Sequence, residues 1–463
     1  MKRITSLLIF LLAWSVAFAG PAAIPALRPG GGFSPYLLPN TAARYSLDGA
    51  PSDSTYLLNS GNVALVADRS GASAVNGLVL NKVVGNYAHF TALTAFGTGD
   101  FTVVVDFLFN SYDSVNYQAF LSSVNNGFGI GYGGSPSKLK TFKTTVAANT
   151  DGPPLSLFTR YTITYTRATT TCNYYTNGVF ANTGTDSSNY TAGCSLLGQS
   201  DTSPASPLDG IVFAARVYSR ALSAVEVAAD YAGAIQTGNV LNINFGLSAK
   251  QLSNGAIALA CTTGQTLTLN TTGNTGARIC GARDLVQLTA AKQPAFSTGV
   301  DGRNLATFNG TTQYMQSAPF SLTQPTTSHL VGSIVTWAIN KSIQDGVGNG
   351  NSLNIFADTT TPNISLYAGT IAAKNGTGTI GLRQIFSAVF SGASSSLMIN
   401  RLTPTTGNPG TNIGMGYTIG ASDTATNPAN ITFCEALLRS VADPASLRLQ
   451  IVNYLIKKWG VTP

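Results

Sequence analysis

Phe213-Ala-Ala-Arg-Val-Tyr-Ser-Arg-Ala-Leu-Ser223 runs from an apolar strand into the start of a helix, and Phe433-Cys-Glu-Ala-Leu-Leu-Arg-Ser-Val-Ala-Asp443 does the same without a gap. The recurrence divides the 463-residue chain into two copies of one architectural unit, each closing with strand, turn and short helix. Upstream, the same order of strands recurs. In the first copy residues 101–109 and 161–165 are β-branched and aromatic runs, and residues 173–178 form a strand that ends in an Asn177-Gly178 turn. Leu196-Leu-Gly198 then leads to the closing strand. In the second copy residues 328–337, 384–390 and 396–400 take the same places, and Tyr417-Thr-Ile-Gly420 matches Leu196-Leu-Gly198. Each closing helix has a start signal: Ser223 with Glu226 is a capping box, and Asp443-Pro444 supplies an N-cap carboxylate and a proline at the first helical position. Leu447, Ile451, Tyr454 and Leu455 recur at helical spacing, so the second helix is expected to dock on its sheet.

Composition supports a β protein with many turns. Only 10% of residues are charged, glycine numbers 48, and the 44% that are hydrophobic fall in strand-length runs, which excludes a disordered chain. The net charge of +7 arises from scattered basic residues and not from a dense stripe, so nucleic acid is not an expected partner. Lys2-Arg3, the apolar run from Leu7 to Phe18 and the small-residue site Ala17-Phe18-Ala19 make residues 1–19 a secretory signal peptide. Residues 20–40 are a flexible Pro/Gly-rich lead-in, followed by a first domain over 41–236 and a second over 237–463. No later stretch is apolar enough to insert in a membrane, so the expected location is secreted or cell-surface, with the periplasm the variant. Five cysteines in an exported chain suggest two disulfides. Local pairing, Cys172 with Cys194 and Cys261 with Cys280, is the simplest assignment and leaves Cys434 over.

The residues resemble the laminin G-like, or concanavalin A-like, lectin and glucanase superfamily. The resemblance rests on Asp68-Arg-Ser-Gly71, the Tyr175-Thr-Asn-Gly178 hairpin, Gly198 and the ending Leu208 to Glu226, and in the second unit on Ala290 to Pro294, Asn304 to Gly310 and Tyr454 to Gly460. It implies an all-β fold of two tandem antiparallel β-sandwich (jelly-roll) domains, and a fold that hosts lectins, adhesion modules, glycosidases and virion proteins alike. It also implies a rim calcium, with Asp48, Asp53, Asp68 and Asp209 as candidates in the first unit and Asp284 and Asp301 in the second.

Chemistry on this fold narrows by subtraction. A glycosidase needs two carboxylates about the cleaved bond. The chain has two glutamates, Glu226, taken by the capping box, and Glu435, alone on the other closing strand. Asp106 lies in an alternating strand, where a solvent-facing acid is ordinary, and Ser328 and His329 are neighbours that point to opposite faces. With two histidines, His89 and His329, far apart in sequence, a zinc site is not expected. What remains is recognition: Tyr112, Tyr117, Tyr132, Tyr174 and Tyr367 lie in Gly-, Asn- and Ser-rich contexts suited to stacking on sugar faces, although each also fits as an ordinary turn-flanking tyrosine. The expected function is non-catalytic binding of a glycan or cell-surface partner. The alternative is a structural or adhesive surface role, as in a virion or matrix component, with glycoside hydrolysis third.

Overall fold

The computed structural model describes residues 35–463 apart from short stretches, the longer being 48–55, 58–75, 113–116, 134–137, 201–205, 246–251, 258–262 and 271–276. The expected signal peptide, most of the lead-in, and Asp48, Asp53, Asp68 and Cys261 lie outside the described residues. Those described form four eight-stranded antiparallel sheets, stacked in pairs as two sandwiches, with a small two-stranded pair. Each sandwich encloses its own core, one built around Phe101, Phe107, Phe120, Phe128 and Tyr165, the other around Phe308, Ile355, Phe386 and Phe433. The fold is therefore all-β with closing helices α1 (Ala224–Tyr231) and α2 (Ala445–Trp459).

The sheets do not part at residue 236. In the first sandwich the closing strand Asp209–Tyr218 pairs with Asn239–Asn244, from Ala214↔Asn244 to Tyr218↔Asn239. In the second, the closing strand Asn430–Arg439 pairs at the corresponding positions with Thr41–Ser46, from Glu435↔Ser46 to Arg439↔Thr41. The correspondence continues: Gly255–Ile257, Leu267–Asn270 and Arg278–Gly281 of the first sandwich take the places of Tyr56–Leu57, Leu285–Val286 and Ala295–Thr298 of the second. Four strands that open the second sandwich thus close the first, which makes the two circular permutants. The first sandwich, residues 76–281, is inserted into the second, built from residues 41–57 and 285–463. The expected division into 41–236 and 237–463 is corrected accordingly. The physical reason is pairing: without Asn239–Asn244 the second half of Asp209–Tyr218 would be an open edge.

The repeat also carries a register correction. The ladder shifts at Phe213 in one closing strand, between Val212 and Ala214, and at Cys434 in the other, between the partners Phe433 and Glu435. Phe213 therefore corresponds to Cys434 and not to Phe433, and the two helices start at Ala224 and Ala445 in the same frame. A one-residue slip exchanges the faces of a strand, so the gap-free alignment assigns opposite faces to the pairs it matches.

Helix α1 has its capping box, with Ser223 and Glu226 bonded reciprocally and Arg220 gripping the same carboxylate at 2.6 and 3.0 Å. The Arg220 contact and the two Ser223 hydrogen bonds hold the Glu226 pKa down at about 2. Helix α2 differs from expectation. Its N-cap is Pro444, with no side-chain cap, and Asp443 instead accepts from Arg439 at 2.7 Å and meets buried His329 at 3.3 Å. Leu447, Ile451 and Leu455 are buried against the sheet, as the spacing predicts. Ser328 and His329 do face opposite ways, Ser328 donating to Gln344 in the interior.

Candidate functional site

The centre of the outer face of the first sandwich's main sheet is covered. Val104, Tyr175 and Tyr218 pack under α1 with Leu222 and Val227, and Val79, Ile211, Phe213 and Cys280 pack against Val286 and Ala318 of the second sandwich. Asp106, expected on a solvent face, is 2% exposed and holds Arg160 through two bonds of 2.8 and 2.7 Å, while that guanidinium stacks 4.0 Å over Phe213. The connection between sandwiches is buried too: Arg283 stacks on Phe320, donates to Ala42 and passes its own carbonyl to the Tyr45 hydroxyl at 2.6 Å. These contacts leave the strand ends and the second sheet as the accessible surface.

One end of the first sandwich gathers four of the predicted residues. There Phe101–Phe109 ends, Tyr117–Ser122 begins, Phe128–Gly133 ends and Asp209–Tyr218 begins. Tyr112, 43% exposed, lies 5.6 Å from the Tyr132 ring and 5.5 Å from Phe109, and its hydroxyl donates to Leu155 O at 2.9 Å. Tyr132 itself is buried beneath, its hydroxyl on the same carbonyl at 3.3 Å. Burial raises the Tyr132 pKa. Asp209 accepts from Ser111 Oγ at 2.6 Å and from Asn110 Nδ2 at 3.4 Å. Gln118, 2% exposed, ties the two sheets together by accepting from Asp209 N and donating to Ser111 O. Asn110 Oδ1 is a buried acceptor with no partner among the described residues. Around the corner Tyr117 stacks on Phe142 at 6.4 Å and carries Lys140 5.4 Å above its ring. Burial lowers the Lys140 pKa, but hydrogen bonds donated to Tyr117 and Asp151 outweigh it and the net shift is upward. Lys138 and Lys140 together hold Asp151 below its usual range against burial.

The result is a fixed aromatic ring supported from below by a second tyrosine, next in sequence to the Ser111 that bonds the Asp209 carboxylate. Gln118 and Asn110 were not singled out in the sequence, since a buried amide carries no local signature. The other predicted tyrosines do not join. Tyr174 is fully buried, edge-on to Tyr165 in the core with its hydroxyl 3.4 Å from Thr141, so it has no face to offer a ligand. Tyr367 is half-buried on a strand of the second sandwich.

The metal and disulfide expectations fare differently. Calcium takes six to eight oxygens, yet both oxygens of Asp209 already receive hydrogen bonds and no cluster of three acidic, His or Cys residues exists among the described residues. Three of the residues named with Asp209 for a rim ion, Asp48, Asp53 and Asp68, lie outside the described residues. Asp284 accepts from Gly281 N at the junction, and Asp301 is held by Arg383 and Arg303. Cys194 is a buried free thiol, so the expected Cys172–Cys194 bridge is absent; each sits in the packed core, where an apolar side chain suffices. Burial raises the Cys194 pKa. The proposed partner of Cys280 lies outside the described residues. Glu435 is fully buried among Arg44, Lys458 and the Trp459 Nε1–H at 2.6 Å, tying Thr41–Ser46 to α2.

Residues 82–228, which span most of the first sandwich through α1, match the family model described as the concanavalin A-like lectin/glucanases superfamily. Over those residues the first sandwich is similar to this superfamily. Its counterpart in the second half shares the strand order by permutation. No curated protein matches the chain. Among solved structures, it is similar to a protein from Bacteroides ovatus described as carbohydrate binding, at 14% identity over 45% of this chain and 60% of that one, with a TM-score of 0.35. It is also similar to the heptameric SAP-like pentraxin of Limulus polyphemus, at 14% identity over 42% of this chain and 95% of that one, with a TM-score of 0.30. A third likeness is to the LG1-3 region of the laminin alpha2 chain, at 10% identity over 80% of this chain and 63% of that one, with a TM-score of 0.31. The chain thus spans 60% of the Bacteroides protein's length. No helix among the described residues is long and apolar enough to cross a membrane.

Proposed function

We propose that this is an exported, non-catalytic protein that binds neutral glycans at the rim of its first concanavalin A-like sandwich. The observation that carries the reading is Tyr112: a half-open ring locked from behind by Tyr132 and Phe109 and by its own bond to Leu155, beside Asp209 and Asn110. A ring already immobilised loses little entropy when a sugar stacks on it. Aromatic stacking supplies area, and the Asp209 carboxylate supplies an acceptor for ring hydroxyls. Carboxylate chemistry argues against hydrolysis. Asp209 is one acid, Asp151 is neutralised by two lysines, and both glutamates are spent on structure. Export rests on the residue 1–19 signal peptide and on a superfamily whose members work outside cells.

A structural display role is the second reading. The buried connection through Arg283 and the Phe213 interface, which make the two sandwiches one stiff body, favour it. A glycan array of the chain from residue 20 onward separates the two: selective, saturable binding supports recognition, and silence across neutral and acidic glycans moves the assignment to the structural role.

A further inference from the structure

The opposite end of the first sandwich holds a cleft of about 540 Å³, lined by Leu93, Thr94, Phe96, Asp100, Val240 and Gln265. We propose that this cleft is a second ligand site, taking a neutral, polyhydroxylated molecule of sugar size. Its volume lies within the range of small-molecule sites, roughly 300–1,000 Å³. The walls mix the Phe96 ring and the Val240 side chain, 37% exposed, with the Asp100 carboxylate and the Gln265 carboxamide. Among the described residues no lysine or arginine lines it, which disfavours an anionic ligand. One carboxylate that already accepts from Thr169 N at 2.6 Å suits hydroxyl donors better than a full cation.

A second observation marks the wall as built. Arg167, fully buried, aims its guanidinium at the carbonyls of Gly97, Gly99 and Ser188, pairs with Asp186, and lies over the rings of Phe101 and Tyr190. Phe96 stacks on Phe101 at 4.3 Å, and Gly97 pairs with Tyr190 through both backbone bonds. Burying an arginine is costly unless each donor is satisfied, and here those donors hold a surface segment in one shape. The shape they hold is the wall of the cleft. Such preorganisation lowers the entropy lost when a ligand is taken up. The nine-residue strand Phe101–Phe109 separates the two ends, so the cleft and the Tyr112 rim lie about 30 Å apart.

The test is an array of neutral oligosaccharides probed with the full chain, its Val240→Trp and Gln265→Ala variants, and the rim variant Tyr112→Ala. Val240→Trp fills the cleft from an exposed position, and Gln265→Ala removes one polar group should the larger change disturb folding. The expected result is at least one glycan whose binding survives Tyr112→Ala but falls tenfold or more with Val240→Trp and several-fold with Gln265→Ala, at unchanged melting temperature. Glycans that bind both cleft variants as they bind the wild type overturn the proposal while leaving the rim reading standing. No binding to the wild type overturns both. A glycan lost from rim and cleft variants alike overturns the cleft as a separate site.

Discussion

Tyr45→Ala tests the insertion architecture, because Tyr45 lies in the N-terminal strand yet belongs to the sandwich that ends the chain. Its ring is fully buried, stacked parallel on Tyr417 at 5.3 Å, and its hydroxyl donates to Arg283 O at 2.6 Å. Truncating a buried aromatic side chain costs about 3–5 kcal/mol. Leaving the Arg283 carbonyl without its donor adds about 1 kcal/mol. The expected loss is therefore about 4–6 kcal/mol, a large share of the ~5–15 kcal/mol that holds a domain folded. Hydrogen exchange read by mass spectrometry locates the loss. Amides of Asn430–Arg439 and of Thr326–Ile334 should lose about a thousandfold or more in protection, since each 1.4 kcal/mol is tenfold. Those of Phe101–Phe109 and Tyr161–Ala168 should change far less. If instead the first sandwich loses protection and the second keeps it, the chain divides at residue 236 and the permuted pairing is wrong.

Three further outcomes follow from buried groups. Asp230→Ala strips the partner from Arg216, which it holds at 2.6 Å together with the Tyr218 hydroxyl, and should cost about 3–5 kcal/mol in denaturant unfolding; an unchanged midpoint would refute the ion pair's structural role. Asp345 is buried, with Asp423 adding to the effect, so its pKa rises from 3.8 to about 7 despite hydrogen bonds from backbone amides. The folded state therefore binds a proton more tightly than the unfolded one, and this contribution is full below pH 4 and lost as pH rises through 7. The loss is on the order of 4 kcal/mol. Stability measured from pH 4 to 8 should fall less steeply in Asp345→Asn; parallel curves contradict the assignment. Cys194, a core thiol with its pKa raised by burial, should resist alkylation in the native protein and react on unfolding. Rapid native labelling would show that its packing is open.

The parts of the fold that were legible in the sequence are those encoded locally. Strand composition, the Asn177-Gly178 turn, the Ser223 capping box and the apolar stripe of α2 all announce themselves within a few residues. The permutation does not. Thr41–Ser46 and Asn239–Asn244 occupy equivalent places but are six residues each, too short and too different in sequence for their partners to be read. Alternation failed where both faces of a sheet are covered. Asp106 reads as solvent-facing until the second sandwich and Arg160 are placed over it, and Tyr174 and Tyr175, on opposite faces of one strand, are both covered, one by the core and the other by α1. At the candidate site, Tyr112, Tyr132 and Asp209 could be named from residue type and context. Their convergence comes from four strand ends meeting at one rim, with Gln118 bridging them, and no spacing in the sequence records that.

A calorimetric titration of the best array glycan into wild-type and Tyr112→Ala protein tests whether the Tyr112 rim binds sugar. Stacking on a fixed aromatic ring is worth roughly 0.5–1.5 kcal/mol beyond area, and with the lost contact surface the variant should bind about tenfold or more weakly while remaining folded. Equal affinity in the two proteins would place recognition elsewhere and contradict the account.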